Sequence, residues 1–346
     1  MICHMLTAPG RIETRNLPDP APQEGELLVA IRAALTCGTD LKAFRRGHPK
    51  IPFPSPFGHE FAGVVTAVGA GVRSFRPGDA VMAVHSAPCG SCFYCQAGQE
   101  NLCETIMETK VLGAYADRIL LPAHIVARNV YAKPDHLSFE EAAFLEPLSC
   151  VVYGSHVQPM RPGETLLIIG AGPIGLLHLL LARQRGVGRI IVTGRRQERL
   201  ELARRLGADA VVNVEREDAL PQIAALTGGR GADQVIECTG LPEVWEATPR
   251  LVRKGGRVLL FGGCAAGTTV TFDTGRLHYD EITLQGVFHF TPAAVAEARD
   301  LLAGGAVQVA PLISARLPMA QLAEAFALLQ RGEGTKYALI PEAVDG

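Results

Sequence analysis

Four cysteines lie close together in one segment of the chain, at Cys89, Cys92, Cys95 and Cys103. A tetrahedral zinc needs four thiolates at about 2.3 Å, and gaps of two residues let one tight loop aim successive sulfurs at a single point. Glycines within the segment allow such a loop to turn. Because four protein ligands leave no open position on the metal, we predict a structural zinc in a lobe at about residues 86–106.

A second set of candidate ligands is spread along the chain. It consists of Cys37, the adjacent pair His59 and Glu60, and Glu146, which precedes a proline. A thiolate, an imidazole and carboxylates together suit a zinc that keeps a position for water or substrate. Such a zinc polarises an alcohol oxygen and lowers its pKa, so that hydride can leave the carbon. Each residue alone is equally typical of core packing, so spacing by itself leaves this site open.

A glycine-rich loop follows an apolar run that ends at Ile169. The loop consists of Gly170, Ala171, Gly172, Pro173, Ile174 and Gly175. Between a strand and a helix, the first glycine turns the chain, the second admits a pyrophosphate and the third lets the helix pack on the strand. We predict a dinucleotide site that uses all of these residues except Ala171.

The end of the next predicted strand, Arg189–Thr193, bears on the choice of cofactor. Enzymes that use NAD carry an acid there for the ribose hydroxyls, but this strand is followed by Gly194, Arg195 and Arg196. Glycine leaves room for a 2′-phosphate and two guanidiniums can pair with it. We therefore predict NADP(H) in preference to NAD(H), with use of NAD left open. The alternative is that the arginines only begin a solvated helix.

The elements that carry these residues fall into two classes. Short strands at Glu26–Ala33, Gly63–Val68 and Ala80–Val84 indicate a β-rich, barrel-like region. A helix from Phe139 to Ser155 is predicted by Ser138 followed three residues later by an acid. Farther along, strands alternate with helices such as Ile174–Arg185 and Gln197–Leu206, which indicates a parallel sheet covered on both faces. The predicted strands are Thr165–Gly170, Arg189–Thr193, Ala210–Asn213, Asp233–Cys238, Arg257–Phe261 and Ile282–Gly286.

Composition limits the function classes. The chain has 346 residues, 20% of them charged, and a formal net charge of −2, which argues against nucleic acid or an anionic membrane as a partner. We find no apolar run of the roughly 18 residues that span a bilayer, and no signal peptide at the start. A cytoplasmic location is expected, where closely spaced cysteines favour metal binding over disulfides.

Three motifs in order carry a family resemblance. The residues Gly58, His59, Glu60, Gly63, Gly69 and Val72 match the zinc signature of the medium-chain alcohol dehydrogenases. The segment Cys37–Asp40 and the four-cysteine spacing resemble that family too, and the polyol (sorbitol-type) branch is most similar, with threonine dehydrogenases nearby. The resemblance implies an α/β protein. Residues 1–150 and 287–346 would form a GroES-like catalytic domain, and 151–286 a Rossmann dinucleotide-binding domain with a doubly wound parallel sheet.

The resemblance also implies residue roles. Cys37 and His59 would ligate the catalytic zinc, and either Glu60 or Glu146 would complete its shell or hold its water. Thr39 would pass on the substrate proton, and Asp40 would anchor the turn or the His59 imidazole. Many relatives have a relay histidine shortly after this aspartate, where this chain has Leu41, Lys42 and Ala43. His48 is a candidate substitute.

The implied activity is reversible oxidation of a secondary alcohol or polyol with NADP, by a homodimer or homotetramer with two zinc ions per subunit. The alternatives are L-threonine 3-dehydrogenase, an NAD-dependent sugar-alcohol dehydrogenase, and a nucleotide-binding protein without catalysis. That last class would lack metal ligands, and the candidate ligands are all present.

Overall fold

The computed structural model describes residues 1–47 and 51–342. The chain divides into two compact units, Met1–Ser149 with Phe290–Gly346, and Cys150–His289. Numbered along the chain, the strands are β1 (Ile2–Ala8), β2 (Arg11–Asn16), β3 (Leu27–Leu35), β4 (Ser55–Pro56), β5 (Phe61–Val68), β6 (Ala80–Ala83), β7 (Arg118–Leu121), β8 (Val130–Ala132), β9 (Thr165–Ile169), β10 (Arg189–Gly194), β11 (Ala210–Asn213), β12 (Ala232–Glu237), β13 (Val252–Leu260), β14 (Thr283–Gly286), β15 (Ile313–Pro318) and β16 (Lys336–Ile340).

The helices are α1 (Gly38–Arg46), α2 (Phe93–Gln96), α3 (Ala123–Asn129), α4 (Phe139–Ala142), α5 (Leu145–Val157), α6 (Pro173–Gln184), α7 (Gln197–Arg205), α8 (Ala219–Leu226), α9 (Pro242–Leu251), α10 (Thr274–Tyr279), α11 (Pro292–Ala303) and α12 (Leu322–Arg331). Within the described ranges, none of these helices combines the length and the apolar character that a bilayer crossing requires.

The first unit is built on a mainly antiparallel sheet. Its strands follow the order β15-β16-β3-β5-β6-β8, with β7 paired to β3, and a smaller sheet has the order β2-β1-β4. Strands β3 and β5 approach closely at Gly63, where a Cβ would lie 2.1 Å from Ala30 O. Only glycine permits that approach. The core of this unit includes the buried rings of Phe57, Tyr115 and Phe326.

The second unit contains a six-stranded parallel sheet in the order β11-β10-β9-β12-β13-β14. This order is that of the doubly wound dinucleotide-binding fold, which confirms the predicted fold class. The central strand β9 is almost wholly buried, as expected for a strand covered on both faces. The strands place the glycine-rich loop at the carboxyl end of β9.

One predicted element was wrong. The segment from Phe139 to Ser155 is not one helix but two, because the chain breaks after α4 and helix α5 begins at Leu145. Proline has no backbone N–H to donate and is best tolerated in a first helical turn, so a new start at Leu145 accommodates Pro147. The predicted cap is confirmed: Ser138 and Glu141 form a reciprocal capping box.

Candidate metal centres and cofactor loop

Helix α1 presents three of the predicted site residues in its cap and first turn. Cys37 is the N-cap, and its Sγ accepts a hydrogen bond from the Thr39 N–H at 3.4 Å. Asp40 follows in the first turn and is fully buried, where the positive end of the helix dipole favours its carboxylate. The thiol and the carboxylate are thus fixed by the same helix start, while Thr39 is exposed.

The segment Gly58–Glu60 leads into β5 beside this helix start. Gly58 has φ +87°, and a Cβ at this position would lie 2.7 Å from the Tyr115 ring. Glycine is therefore required both for the backbone conformation and for the space. The Leu35 N–H donates to Glu60 O at 3.0 Å, which ties the segment to the end of β3 directly before the Cys37 turn.

Three predicted ligands come together. One ligand atom each from Cys37, His59 and Glu60 lies within 4.8 Å of the others. His59 Nδ1 lies 3.1 Å from Asp40 Oδ1, and this nearby negative charge favours a proton on Nδ1, which leaves Nε2 for a metal. Among the residues that the structure describes, Glu60 Oε1 has no hydrogen-bond partner although it is buried. A divalent cation would neutralise this unpaired carboxylate oxygen. The thiol, imidazole and carboxylate donors therefore fit zinc.

A buried lysine, which the sequence analysis did not single out, neutralises part of this charge. Lys336 Nζ donates to Glu60 Oε2 and, at 2.8 Å, to Thr36 O. Burial raises the pKa of Glu60, and Lys336 opposes that effect. Burial disfavours the charged form of His59, but Asp40 and Cys37 outweigh it and raise its pKa well above the usual value. No local motif marks Lys336, because it reaches Glu60 across 276 residues of sequence.

Glu146 is not part of the three-residue group. It lies in the first turn of α5, buried, with Oε1 at 3.5 Å from His85 Nδ1. Burial raises its pKa to about 7. The His85 ring in turn lies 5.1 Å from the His59 ring, so His85 is a polar neighbour of the cluster that the sequence analysis missed. The role of Glu146 as a ligand stays a prediction.

The outer end of the proton relay stays a prediction. Lys42, on α1, is exposed, and His48 lies outside the described residues.

The four cysteines of the lobe converge as predicted. Their sulfurs all lie within 4.8 Å of one another, with 3.9 Å between Cys89 and Cys95 and 3.5 Å between Cys92 and Cys95. A zinc with bonds of about 2.3 Å to four sulfurs places them about 3.8 Å apart. The chain turns at Gly90, whose φ is +79°. This is a structural zinc site.

The lobe holds one acidic and one weakly acidic thiol, and a bound cation would allow both to ionise. Backbone and side-chain hydrogen bonds from Ser91, with the N–H of Cys92, lower the pKa of Cys89 to about 5. Burial raises the pKa of Cys95 to about 12. Four adjacent thiolates cannot stay ionised together without a positive charge, and zinc binding removes their protons.

The glycine-rich loop has the geometry expected of a phosphate site. Gly170 has φ +111°, and a Cβ on Gly175 would lie 1.9 Å from Gly170 O, so helix α6 packs against the loop only with glycine there. Gly172 caps α6 and has open space where a side chain would stand. Pro173 and Ile174 begin the first helical turn, where the helix dipole and the N–H groups that follow the proline favour an anion.

Strand β10 ends at Gly194, and Arg195 and Arg196 follow it, both exposed. Within residues 1–47 and 51–342, neither guanidinium makes a hydrogen bond or ion pair. A Cβ on Gly194 would lie 3.0 Å from Ala171 Cβ and 3.2 Å from Leu200 Cδ2. A side chain at position 194 would therefore crowd the neighbouring protein atoms. The two arginines are available to a ligand.

A β-rich unit with two metal-binding groups and a doubly wound unit with a phosphate loop define a zinc-dependent oxidoreductase that uses a nicotinamide nucleotide. Comparison with known proteins agrees. The sequence model of the alcohol dehydrogenase GroES-like domain family matches residues 23–134. The sequence model of the zinc-binding dehydrogenase family matches residues 173–304.

Two relatives illustrate the match. L-threonine 3-dehydrogenase of Bacillus licheniformis is 31% identical over 94% of both chains. Sorbitol dehydrogenase of Bacillus subtilis is also 31% identical, over 95% of this chain and 94% of its own.

Among solved structures, a Sinorhizobium meliloti protein described as a zinc-binding dehydrogenase and bound to NADP is similar, with a TM-score of 0.90, 31% identity, and coverage of 98% and 99% of the two chains. The chain belongs to the zinc-binding medium-chain alcohol dehydrogenase family. It is a zinc-dependent NAD(P) dehydrogenase of the alcohol or polyol type that acts on a small molecule.

Proposed function

We propose that this protein catalyses reversible hydride transfer between a secondary alcohol or polyol and NADP. The observation that carries the catalytic assignment is the buried convergence of Cys37, His59 and Glu60. Cys37 and His59 would hold the catalytic zinc, with Glu60 or Glu146 as the carboxylate that completes its shell or holds its water. When bound, this zinc polarises the substrate hydroxyl, and the nicotinamide accepts the hydride.

The chain's own residues position the substrate and move its proton. Asp40 keeps the His59 imidazole in one tautomer, with Nε2 toward the metal. The exposed Thr39 hydroxyl, in the turn after Cys37, would accept the substrate proton and pass it to solvent. Lys336 keeps one oxygen of Glu60 occupied, so that the other faces the cluster.

Preference for NADP rests on the residues that end β10. Arg195 and Arg196 are exposed and occupy the place where an acid would bind the ribose of NAD. The cofactor would contact Gly170, Gly172, Pro173, Ile174 and Gly175 with its pyrophosphate, and Gly194, Arg195 and Arg196 with its 2′-phosphate. A relative that binds NADP at 31% identity supports this assignment.

The test compares kcat/KM for both cofactors in Arg195→Ala and Arg196→Ala. At least one variant should lose tenfold or more with NADP and less than threefold with NAD, since a charge-assisted pair to phosphate is worth about 1.5–3 kcal/mol. Gly194→Ala serves as a steric control, because a methyl group there crowds Ala171 without changing charge. Equal losses with both cofactors, or none, contradict the preference.

Substrate choice is tested separately. We propose polyols and simple secondary alcohols, and L-threonine is the second candidate because a threonine dehydrogenase and a sorbitol dehydrogenase match the chain equally at 31% identity. A panel of these three substrate classes with NAD and with NADP measures kcat/KM for each. Activity with L-threonine at least tenfold above that with any polyol would reverse the order.

We propose that residues 1–150 and 287–346 act as the catalytic domain and 151–286 as the nucleotide domain, in a homodimer or homotetramer joined through nucleotide domains. The compact units support the division, and the edge strand β14, largely exposed, supports the contact. Light scattering gives the mass of the assembly. A monomer at micromolar concentration would contradict it.

A further inference from the structure

Tyr115 packs against the segment that carries His59. Its N–H donates to Phe57 O at 2.9 Å, and the Ala114 N–H donates to Gly58 O at 3.1 Å. The tyrosine ring occupies the space where a Cβ on Gly58 would stand. The backbone next to the predicted metal ligand is therefore held from one side by Tyr115 and its neighbour.

The hydroxyl of Tyr115 reaches the Asp40 carboxylate. Both side chains are fully buried, and Tyr115 Oη lies 2.7 Å from Asp40 Oδ2 and 3.1 Å from Leu35 O. A hydroxyl has one proton to donate, and the shorter contact to a charged acceptor is the stronger. Burial and the charge of Asp40 raise the pKa of Tyr115 well above its usual value, so this hydroxyl stays a donor.

The two oxygens of Asp40 face two different side chains. Oδ2 accepts from Tyr115, and Oδ1 lies 3.1 Å from His59 Nδ1. In the part of the chain that the structure describes, Tyr115 is the only side-chain donor to Oδ2. Without that donor, a buried carboxylate oxygen would be unsatisfied, and the carboxylate could rotate away from the imidazole.

We propose that Tyr115 is a positioning residue for the catalytic metal. Its hydroxyl fixes the rotation of the Asp40 carboxylate, and Asp40 fixes the tautomer and orientation of the His59 ring. The inference rests on the proposed function, because it requires a metal bound by Cys37 and His59. Loss of a partner of a ligating histidine weakens metal binding by about 10–100-fold. Tyr115 contacts that partner rather than the histidine itself, so we expect the effect of Tyr115→Phe to lie near the lower end of this range.

The test measures zinc content against free zinc set by a chelator buffer. The Cys37→Ser variant gives the zinc-binding curve of the structural site alone. Subtracting this curve from that of the wild type gives the zinc-binding curve of the catalytic site. Tyr337→Phe is the matched control, since it removes another buried tyrosine hydroxyl in the same core, one that bonds to Glu333 O at 3.4 Å. The visible spectrum after cobalt exchange, again relative to Cys37→Ser, reports the ligand geometry. Thermal denaturation of the metal-free proteins reports the fold.

Tyr115→Phe should weaken zinc at the catalytic site by about tenfold and shift the cobalt spectrum, whereas Tyr337→Phe should change neither. In an Asp40→Ala background, Tyr115→Phe should have no further effect on zinc affinity, because it acts through Asp40. Equal zinc affinity in wild type and Tyr115→Phe, or an undiminished effect in the Asp40→Ala background, overturns the inference alone. A wild type that binds one zinc, like Cys37→Ser, overturns the proposed function as well.

Discussion

The two metal-binding groups of the first unit are built in opposite ways. The cysteine lobe takes all its ligands from one short segment, and its sulfurs receive hydrogen bonds from the backbone of the same segment. The Cys37 cluster takes its ligands from a helix cap and a pre-strand segment, and its supporting side chains come from Asp40, Tyr115 and Lys336. The lobe is a local structure, and the cluster depends on the packing of the whole unit.

The two groups also differ in how exposed their side chains are to solvent. In the lobe, Cys89 is exposed and only Cys103 is buried. In the cluster, His59 and Glu60 are buried, as are the charged partners Asp40 and Lys336. Buried charges are stable only when each is paired. A change in the cluster should therefore affect chemistry and folding together, whereas a change in the lobe should affect stability first.

The sharpest separation of the two sites comes from Cys37→Ser. Serine keeps an acceptor for the α1 cap but removes the thiolate, so we expect kcat/KM to fall about 10³-fold or more, which corresponds to several kcal/mol of transition-state stabilisation. The measured zinc content should fall from two ions per chain to one. Retention of both ions with full activity would show that the cluster is not the catalytic site.

Lys336→Met tests whether the cluster depends on buried pairing. The change leaves Glu60 charged without its partner and should lower the free energy of unfolding by about 3–5 kcal/mol. The double variant Lys336→Met with Glu60→Gln should recover most of the loss, because no unpaired charge remains. Urea denaturation measures both variants, and an equal loss in the two would contradict the pairing.

Cys92→Ser tests the lobe. Loss of one ligand should release the structural zinc and lower the free energy of unfolding by about 2–4 kcal/mol, comparable to removal of a disulfide. We expect kcat/KM of the remaining folded enzyme to change less than tenfold. A larger fall in activity than that caused by Cys37→Ser would reverse the contrast between the two sites.

His178 provides the smallest test, as a buried histidine without the partners of His59. Neither ring nitrogen has a hydrogen-bond partner among the described residues, and burial lowers its pKa from 6.5 to about 3. The unfolded chain therefore takes up the proton first, and stability falls as pH drops below the unfolded value. The loss at pH 5.5 should be about 1.4 kcal/mol.

His178→Leu should remove that loss, while the exposed His136→Leu should not. Urea denaturation at pH 7.5 and pH 5.5 measures the difference between the two pH values for each variant. An unchanged difference in His178→Leu would mean that this ring is not the group that titrates.

Much of the fold could be predicted because its signals are local. The glycine-rich loop after Ile169 and the alternation of strands and helices predict the parallel sheet, and the capping box at Ser138 is read directly from two side chains. The break before Leu145 was missed, since the apolar pattern continues across it, whereas Pro147 acts on the backbone, through its missing N–H and the steric bulk of its ring.

The cysteine lobe was determined by the sequence itself, because spacing within one segment limits where four sulfurs can lie. The proposed catalytic ligands were candidates by residue type and could be assigned only with the resemblance, since Cys37, His59 and Glu60 are brought together by strand pairing between β3 and β5. Only the tertiary structure revealed the roles of Lys336, Tyr115 and His85. Their roles come from burial beside charged groups that are distant along the chain, and no local pattern of residues records such a contact.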